Sequence, residues 1–114
     1  MFLPKKIKVA GHTYKVIVDN KSLQKEELAG DAWHGRHLIR ISTIDRYGYK
    51  RPETFIEDSI IHEILHCVDV QYNNHQIPED QVRLLATGLH QVLRDMGLIK
   101  NEGTETKQKA KKHS

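Results

Sequence analysis

Polar and apolar residues alternate near the start of the chain with the period of two that is typical of β-strands. The alternation covers residues 6–10, stops at a glycine and resumes over residues 14–18, which predicts a β-hairpin. Residues 37–42 combine apolar and β-branched side chains and predict a third strand. Between these strands, Ser22 can cap a short helical turn that ends before Gly30.

The second half of the chain has the spacing of three and four residues between apolar positions that is typical of α-helices. Residues 54–72 lack glycine and proline, and they predict a buried helix over residues 52–73 with its apolar positions at Ile56, Ile60, Ile61, Ile64, Leu65 and Val68. Pro78 suits a first helical turn and Gly97 a helix end, which predicts a second helix over residues 78–96. The apolar face expected for this helix consists of Val82, Leu85, Ala86, Leu89 and Leu93.

These elements predict an α+β fold, in which a small and mainly antiparallel β-sheet over about residues 5–43 precedes two packed helices. One domain over residues 1–99 accommodates them, because 114 residues leave no room for a second core. Residues 100–114 are polar, rich in lysine and free of aromatic side chains, and this composition predicts a disordered tail. A cleft is expected beside the first long helix.

Composition and charge narrow the classes of partner. The chain has 38% hydrophobic and 29% charged residues, and no stretch reaches the roughly 20 apolar residues of a membrane span. Its first residues run into lysines too early for a signal peptide, so we expect a cytoplasmic location. The net charge of +3 arises in residues 100–114, which hold five lysines and two glutamates, while the 13 basic and 13 acidic residues elsewhere cancel. A nucleic-acid partner is therefore not expected.

Residues 62–66 read His-Glu-Ile-Leu-His, an HExxH motif inside the strongest helical pattern of the chain. Because one helical turn takes about 3.6 residues, His62 and His66 project from the same side, where both imidazoles can bind one zinc ion. Glu63 does not share their direction, but it can reach a water molecule at the open position of the metal and accept its proton. The motif therefore predicts one zinc ion per chain, with two histidine ligands and Glu63 as catalytic base.

A catalytic zinc site usually takes a third protein ligand. We expect Glu79 in this role, because it begins the second helix on the stripe that should pack against the motif helix. Asp80, His75 and Asp69 are also candidates, although Asp69 lies a turn beyond the motif and suits a capping role better. The single cysteine, Cys67, projects about 100° away from the preceding histidine and is expected to be a small core residue.

The motif and its surroundings resemble a known family. Residues 61–66, 78–82 and 88–93 are similar to minimal zinc metallopeptidases of the gluzincin type, including small peptidase-like proteins common in bacteriophages and prophages. The resemblance covers about half of the chain. The more distant ImmA-like and SprT-like peptidases share the motif helix and a preceding small sheet. The resemblance implies a zincin-like minimal metallopeptidase fold.

The resemblance also implies roles for individual residues. Two histidines and a downstream glutamate bind zinc in that family, which corresponds to His62, His66 and Glu79, and the motif glutamate, here Glu63, is the base. The implied activity is zinc-dependent cleavage of a peptide or protein substrate, in the cytoplasm of a bacterial host if the chain is phage-encoded. The strand over residues 37–42 is expected to offer an edge to which an extended peptide can add.

Two other functions stay open. One is a zinc-stabilised regulatory or protein-binding module with little or no turnover, and the other is a zinc hydrolase that acts on something other than a peptide. Tyr47, Tyr49, Tyr72 and His90 are candidate donors to a developing oxyanion, and their spacing does not select among them.

Overall fold

The computed structural model describes residues 3–99, which form four strands and three helices. In chain order these are β1 (Lys6–Val9), β2 (His12–Val18), α1 (Asn20–Glu26), β3 (Gly30–Trp33), β4 (Leu38–Ile41), α2 (Glu53–Tyr72) and α3 (Glu79–Asp95). The predicted α+β class is confirmed, as are the hairpin, the short helix and the two long helices. The predicted tail over residues 100–114 lies outside the described residues.

The four strands form one sheet in the order β1-β2-β4-β3. The β1/β2 and β3/β4 pairs are antiparallel and the β2/β4 pair is parallel, so the sheet is mainly antiparallel as predicted. Ala10 and Gly11 connect the hairpin with φ angles of 52° and 80°. Two-residue hairpin turns of the primed type require such left-handed backbone, which glycine adopts without steric cost.

Strand β3 was not predicted, and its presence corrects the expected place of the sheet edge. Its four residues include Gly30 and Asp31, two residue types with low strand propensity. The strand forms because it pairs with β4 along its whole length, where Asp31 lies opposite Arg40 and accepts hydrogen bonds from its guanidinium. Since β4 is paired on both sides, residues 37–42 offer no free edge, and the prediction that they do is wrong.

The main core lies between the sheet and α2. Tyr14, Ile39 and Ile41 from the strands and Ile56 and Ile60 from the helix are all fully buried. Each such aliphatic side chain stabilises the fold by about 1.5–3 kcal/mol relative to exposure. Cys67 is also fully buried in this core, as expected, and burial raises the pKa of its thiol to about 12.

Helix α3 packs against α2, and its buried face differs from the predicted one. Val82 and Ala86 are fully buried as expected, whereas Leu85 and Leu89 are 54% and 40% exposed. His90 takes a buried position on this face instead. The prediction assumed a wide apolar stripe facing the core, but a helix that packs on one neighbouring helix buries a narrower stripe.

Each helix within residues 3–99 is too short or too polar to cross a membrane.

Helix α1 begins after Asp19, whose carboxylate accepts a hydrogen bond from the amide of Ser22. The cap residue is therefore Asp19 rather than Ser22. The short helix carries the chain from the end of β2 to the start of β3 at the same end of the sheet, and β3 then runs back so that β4 lies parallel to β2.

Candidate metal centre

The motif helix brings the two predicted histidine ligands together. His62 and His66 lie one turn apart on α2, their Nε2 atoms are 3.1 Å apart and their ring centroids 4.8 Å apart. Both side chains are mostly buried, at 18% and 17% exposed. Two neighbouring imidazole nitrogens therefore face one point in space, as the spacing predicted.

The third member of this cluster comes from the start of α3. Oε1 of Glu79 lies 2.7 Å from Nε2 of His62, and Oε2 of Glu79 lies 2.7 Å from Nε2 of His66. We call these three residues the His-His-Glu cluster. One ligand atom from each can be chosen so that all three lie within 4.8 Å of one another. The Glu79 side chain is 67% exposed, so it faces the histidines from the solvent side and not from the buried stripe expected for it.

The short connection between α2 and α3 positions Glu79. The carboxylate of Asp69 accepts hydrogen bonds from the side chain of Asn73 and from the backbone amides of Gln76 and Ile77. Burial raises the pKa of Asp69, but these hydrogen bonds together lower it by more. The pKa of Asp69 therefore lies below its ordinary value. Asp69 therefore holds the turn that places Glu79, in agreement with the capping role expected for it in place of metal binding.

Asp80 and His75, which were also candidates for the third ligand, are not part of the cluster. The carboxylate of Asp80 accepts a hydrogen bond from the next backbone amide, that of Gln81. His75 lines the neighbouring cleft, but within residues 3–99 the only group of three or more potential ligands is the His-His-Glu cluster.

The donor atoms of this cluster fit a zinc ion. Two imidazole nitrogens and a carboxylate oxygen are ligands that zinc binds in catalytic sites. Bonds of about 2.1 Å around a tetrahedral ion separate the ligand atoms by about 3.4 Å. The two imidazole nitrogens are 3.1 Å apart, and each lies 2.7 Å from a Glu79 oxygen, so the exposed Glu79 side chain would move outward by a few tenths of an ångström to admit the ion. Burial lowers the pKa of His66 more strongly than Glu79 raises it, which favours the neutral ring that binds metal.

Glu63 lies beside the cluster in a buried position. Its side chain faces Gly30 of β3, where an added Cβ would be in ordinary van der Waals contact with Cγ of Glu63, at 3.6 Å, and would come within 2.9 Å of the carbonyl oxygen of Arg40. Burial, and then the negative charges of Glu79 and Asp31, raise the pKa of Glu63 to about 8. A cation held by the neighbouring ligands would lower this pKa, because it favours the carboxylate form.

A cleft of about 640 Å³ opens between α2 and strand β3. It contains the His-His-Glu cluster and Glu63, and it is also lined by residues of β3 and of the loops beside it. Because β3 is the last strand of the sheet, its outer edge is unpaired within the described residues and borders this cleft. The strand edge beside the cleft is therefore that of β3, which the sequence pattern did not predict.

None of the four predicted oxyanion donors lines this cleft within the described residues. Tyr47, Tyr49 and Tyr72 have exposed side chains elsewhere, at 76%, 72% and 69%. The ring of His90 is used in the core, where its Nε2 lies 2.9 Å from Oε1 of the fully buried Glu57.

His34 is a cleft residue that sequence reasoning did not single out. It follows β3 directly, and its Nδ1 lies 3.2 Å from the hydroxyl oxygen of the buried Tyr14. Burial and the neighbouring histidines, His66 first among them, lower its pKa. No motif signals this residue, because its position depends on the strand that was not predicted.

Comparisons with protein-family models, with curated proteins and with solved structures found no match for this chain.

Proposed function

We propose that this protein is a zinc-dependent metallopeptidase that hydrolyses peptide bonds. The observation that carries the proposal is the His-His-Glu cluster beside the buried carboxyl group of Glu63, inside a cleft bordered by a strand edge. Three protein ligands leave one position of a tetrahedral ion available for chemistry, whereas a purely structural zinc site usually has four protein ligands.

The residues that would hold the metal are His62, His66 and Glu79. Bound zinc supplies a Lewis acid that polarises the scissile carbonyl and makes water a stronger nucleophile at neutral pH. Glu63 accepts the proton that the water loses as its oxygen forms a bond to the carbonyl carbon. The same residue then delivers that proton to the leaving nitrogen as the carbon–nitrogen bond breaks. Its burial supports this second role, because a carboxyl group in an apolar environment binds a proton more readily.

The edge of β3 supports a peptide as the substrate class. An extended peptide can pair with the free backbone groups of this short strand, which makes binding depend on main-chain hydrogen bonds more than on particular side chains. Gly30 at the start of this strand and Glu63 line the same cleft, so the strand lies beside the proposed base. A peptide bond held along the strand would therefore lie near the reacting groups.

A second candidate is a zinc-stabilised binding module with little turnover. The observation that favours it is that the cluster joins α2 to the start of α3, so a metal would tie the two helices together. Such a module would bind zinc through the same three residues. It would not need the carboxyl group of Glu63.

Replacement of Glu63 with glutamine separates the two candidates. Zinc content should stay at one per chain, while cleavage of a library of internally quenched peptides should fall about 10²-fold or more. Glu53→Gln is the matched control, because Glu53 begins the same helix about 15 Å away. Zinc-loaded wild-type protein that cleaves no peptide would favour the binding module. Protein that takes up no zinc would refute both candidates.

A further inference from the structure

His34 is held in one orientation by two side chains behind it. The amide of Gln71 donates a hydrogen bond to the hydroxyl oxygen of Tyr14 over 3.0 Å, and that oxygen lies 3.2 Å from Nδ1 of His34. Tyr14 is fully buried, and its ring also meets that of His34 edge to face. Gln71 belongs to the motif helix, so the helix that carries the metal ligands also fixes this residue of the opposite cleft wall.

The hydrogen bonds of Tyr14 bear on the form of the imidazole. Because Gln71 donates to the tyrosine oxygen, the single hydroxyl proton of Tyr14 is available for Nδ1 of His34. A neutral imidazole that accepts at Nδ1 carries its proton on Nε2. In that form His34 presents a hydrogen-bond donor on the side of its ring away from Tyr14, in the cleft that contains His66 and Glu63.

We propose that the Nε2–H group of His34 donates a hydrogen bond to the carbonyl oxygen of the scissile peptide bond, and that Tyr14 and Gln71 are its positioning residues. This inference rests on the proposed peptidase function. The oxygen gains negative charge as water adds to the carbonyl carbon, and a donor already fixed in place stabilises that charge without reorganisation. His75 and Arg83 also line the cleft and could donate hydrogen bonds there. Their side chains are exposed, so burial does not hold either of them in one orientation.

The first test measures the ring itself and does not depend on turnover. Nitrogen-15 NMR of the zinc-loaded protein should show His34 protonated at Nε2 and unprotonated at Nδ1. Tyr14→Phe removes the hydroxyl and should give a mixture of both forms, while zinc affinity stays within about threefold. A wild-type ring protonated at Nδ1 would overturn the inference. An unchanged ring in Tyr14→Phe would overturn the positioning role of Tyr14.

The second test measures catalysis with the peptide that wild-type protein cleaves best. His34→Ala should lower kcat about 10²-fold or more with little change in KM or zinc affinity. His34→Gln should recover part of the loss, because its amide supplies an N–H group close to the place of Nε2. His12→Ala is the control, since His12 is exposed and stacks on His37 outside the cleft lining.

These outcomes distinguish the role of His34 from the peptidase function. If His34→Ala cleaves the peptide with the kcat of the wild-type protein, or if only its KM changes, the proposed role of His34 is wrong. The peptidase function would then remain intact. A parallel loss of zinc affinity would also overturn it, because His34 would then support the metal. Absence of cleavage by zinc-loaded wild-type protein would refute the peptidase function and this inference together.

Discussion

Replacing Glu79 with alanine should remove most of the zinc-dependent stability of the protein and leave the metal-free fold almost unchanged. The Glu79 side chain is 67% exposed, so little packing is lost with it. The variant also loses the favourable effect of a negative charge at the start of a helix, worth about 0.3–1 kcal/mol. It loses the contacts of this exposed carboxylate with His62 and His66 as well, which contribute about 0.2–1 kcal/mol. Asp80→Ala is the matched control, because Asp80 occupies the same first turn of α3 and lies outside the cluster.

The expected magnitude follows from the linkage between binding and folding. Free zinc at 100 times its dissociation constant stabilises a protein that binds it only when folded by about 2.7 kcal/mol. For a domain of this size, about 1 kcal/mol corresponds to about 4–8 °C in Tm, so zinc should raise the Tm by about 11–22 °C. Loss of one of three ligands should weaken binding by about 100-fold or more. At the same zinc concentration the stabilisation then falls to about 0.4 kcal/mol, or about 2–3 °C.

The assay is thermal unfolding of chelator-treated and zinc-buffered protein, followed by circular dichroism. Wild-type protein and Asp80→Ala should both show the large zinc-dependent rise in Tm, and Glu79→Ala should show only the small one. A full rise in Glu79→Ala would refute the assignment of the third ligand. If Asp80→Ala or His75→Ala lost the zinc-dependent rise in Tm instead, that residue would be the third ligand. The assignment of His62 and His66 as the other two ligands would be unaffected.

Three further predictions concern the scaffold around the site. Arg94→Met leaves the buried carboxylate of Glu57 with one partner fewer, so urea unfolding should show a loss of about 1–3 kcal/mol, while Arg83→Met on the same helix should change little. The lowered pKa of Asp69 means that its contribution to stability is present above its ordinary pKa of 3.8 and is lost as the pH falls through the lower folded value. Acid unfolding of Asp69→Asn should therefore depend less on pH below 3.8 than that of the wild-type protein. Deletion of residues 100–114 should leave zinc content and Tm unchanged, and a loss of soluble protein would contradict the predicted tail.

The sequence was sufficient to predict features that depend on near neighbours along the chain. The period of two in the hairpin and the spacing of apolar residues in α2 and α3 are local patterns, and each produced the predicted element. The facing of His62 and His66 was also predictable, because residues four apart in a helix always lie on one side. The same rule identified Glu63 as a neighbour of the two histidines.

Tertiary structure decided which distant segments meet. Strand β3 has weak strand propensity and forms through its pairing with β4, so neither the sheet edge beside the cleft nor the place of His34 could be predicted from the sequence. Several acidic residues and a histidine were open as partners for the two motif histidines, and the hydrogen bonds of Asp69 in the connection select the path that brings Glu79 to them. Such contacts depend on closing loops and packing surfaces far apart in sequence, whereas helical spacing depends only on the backbone within one turn.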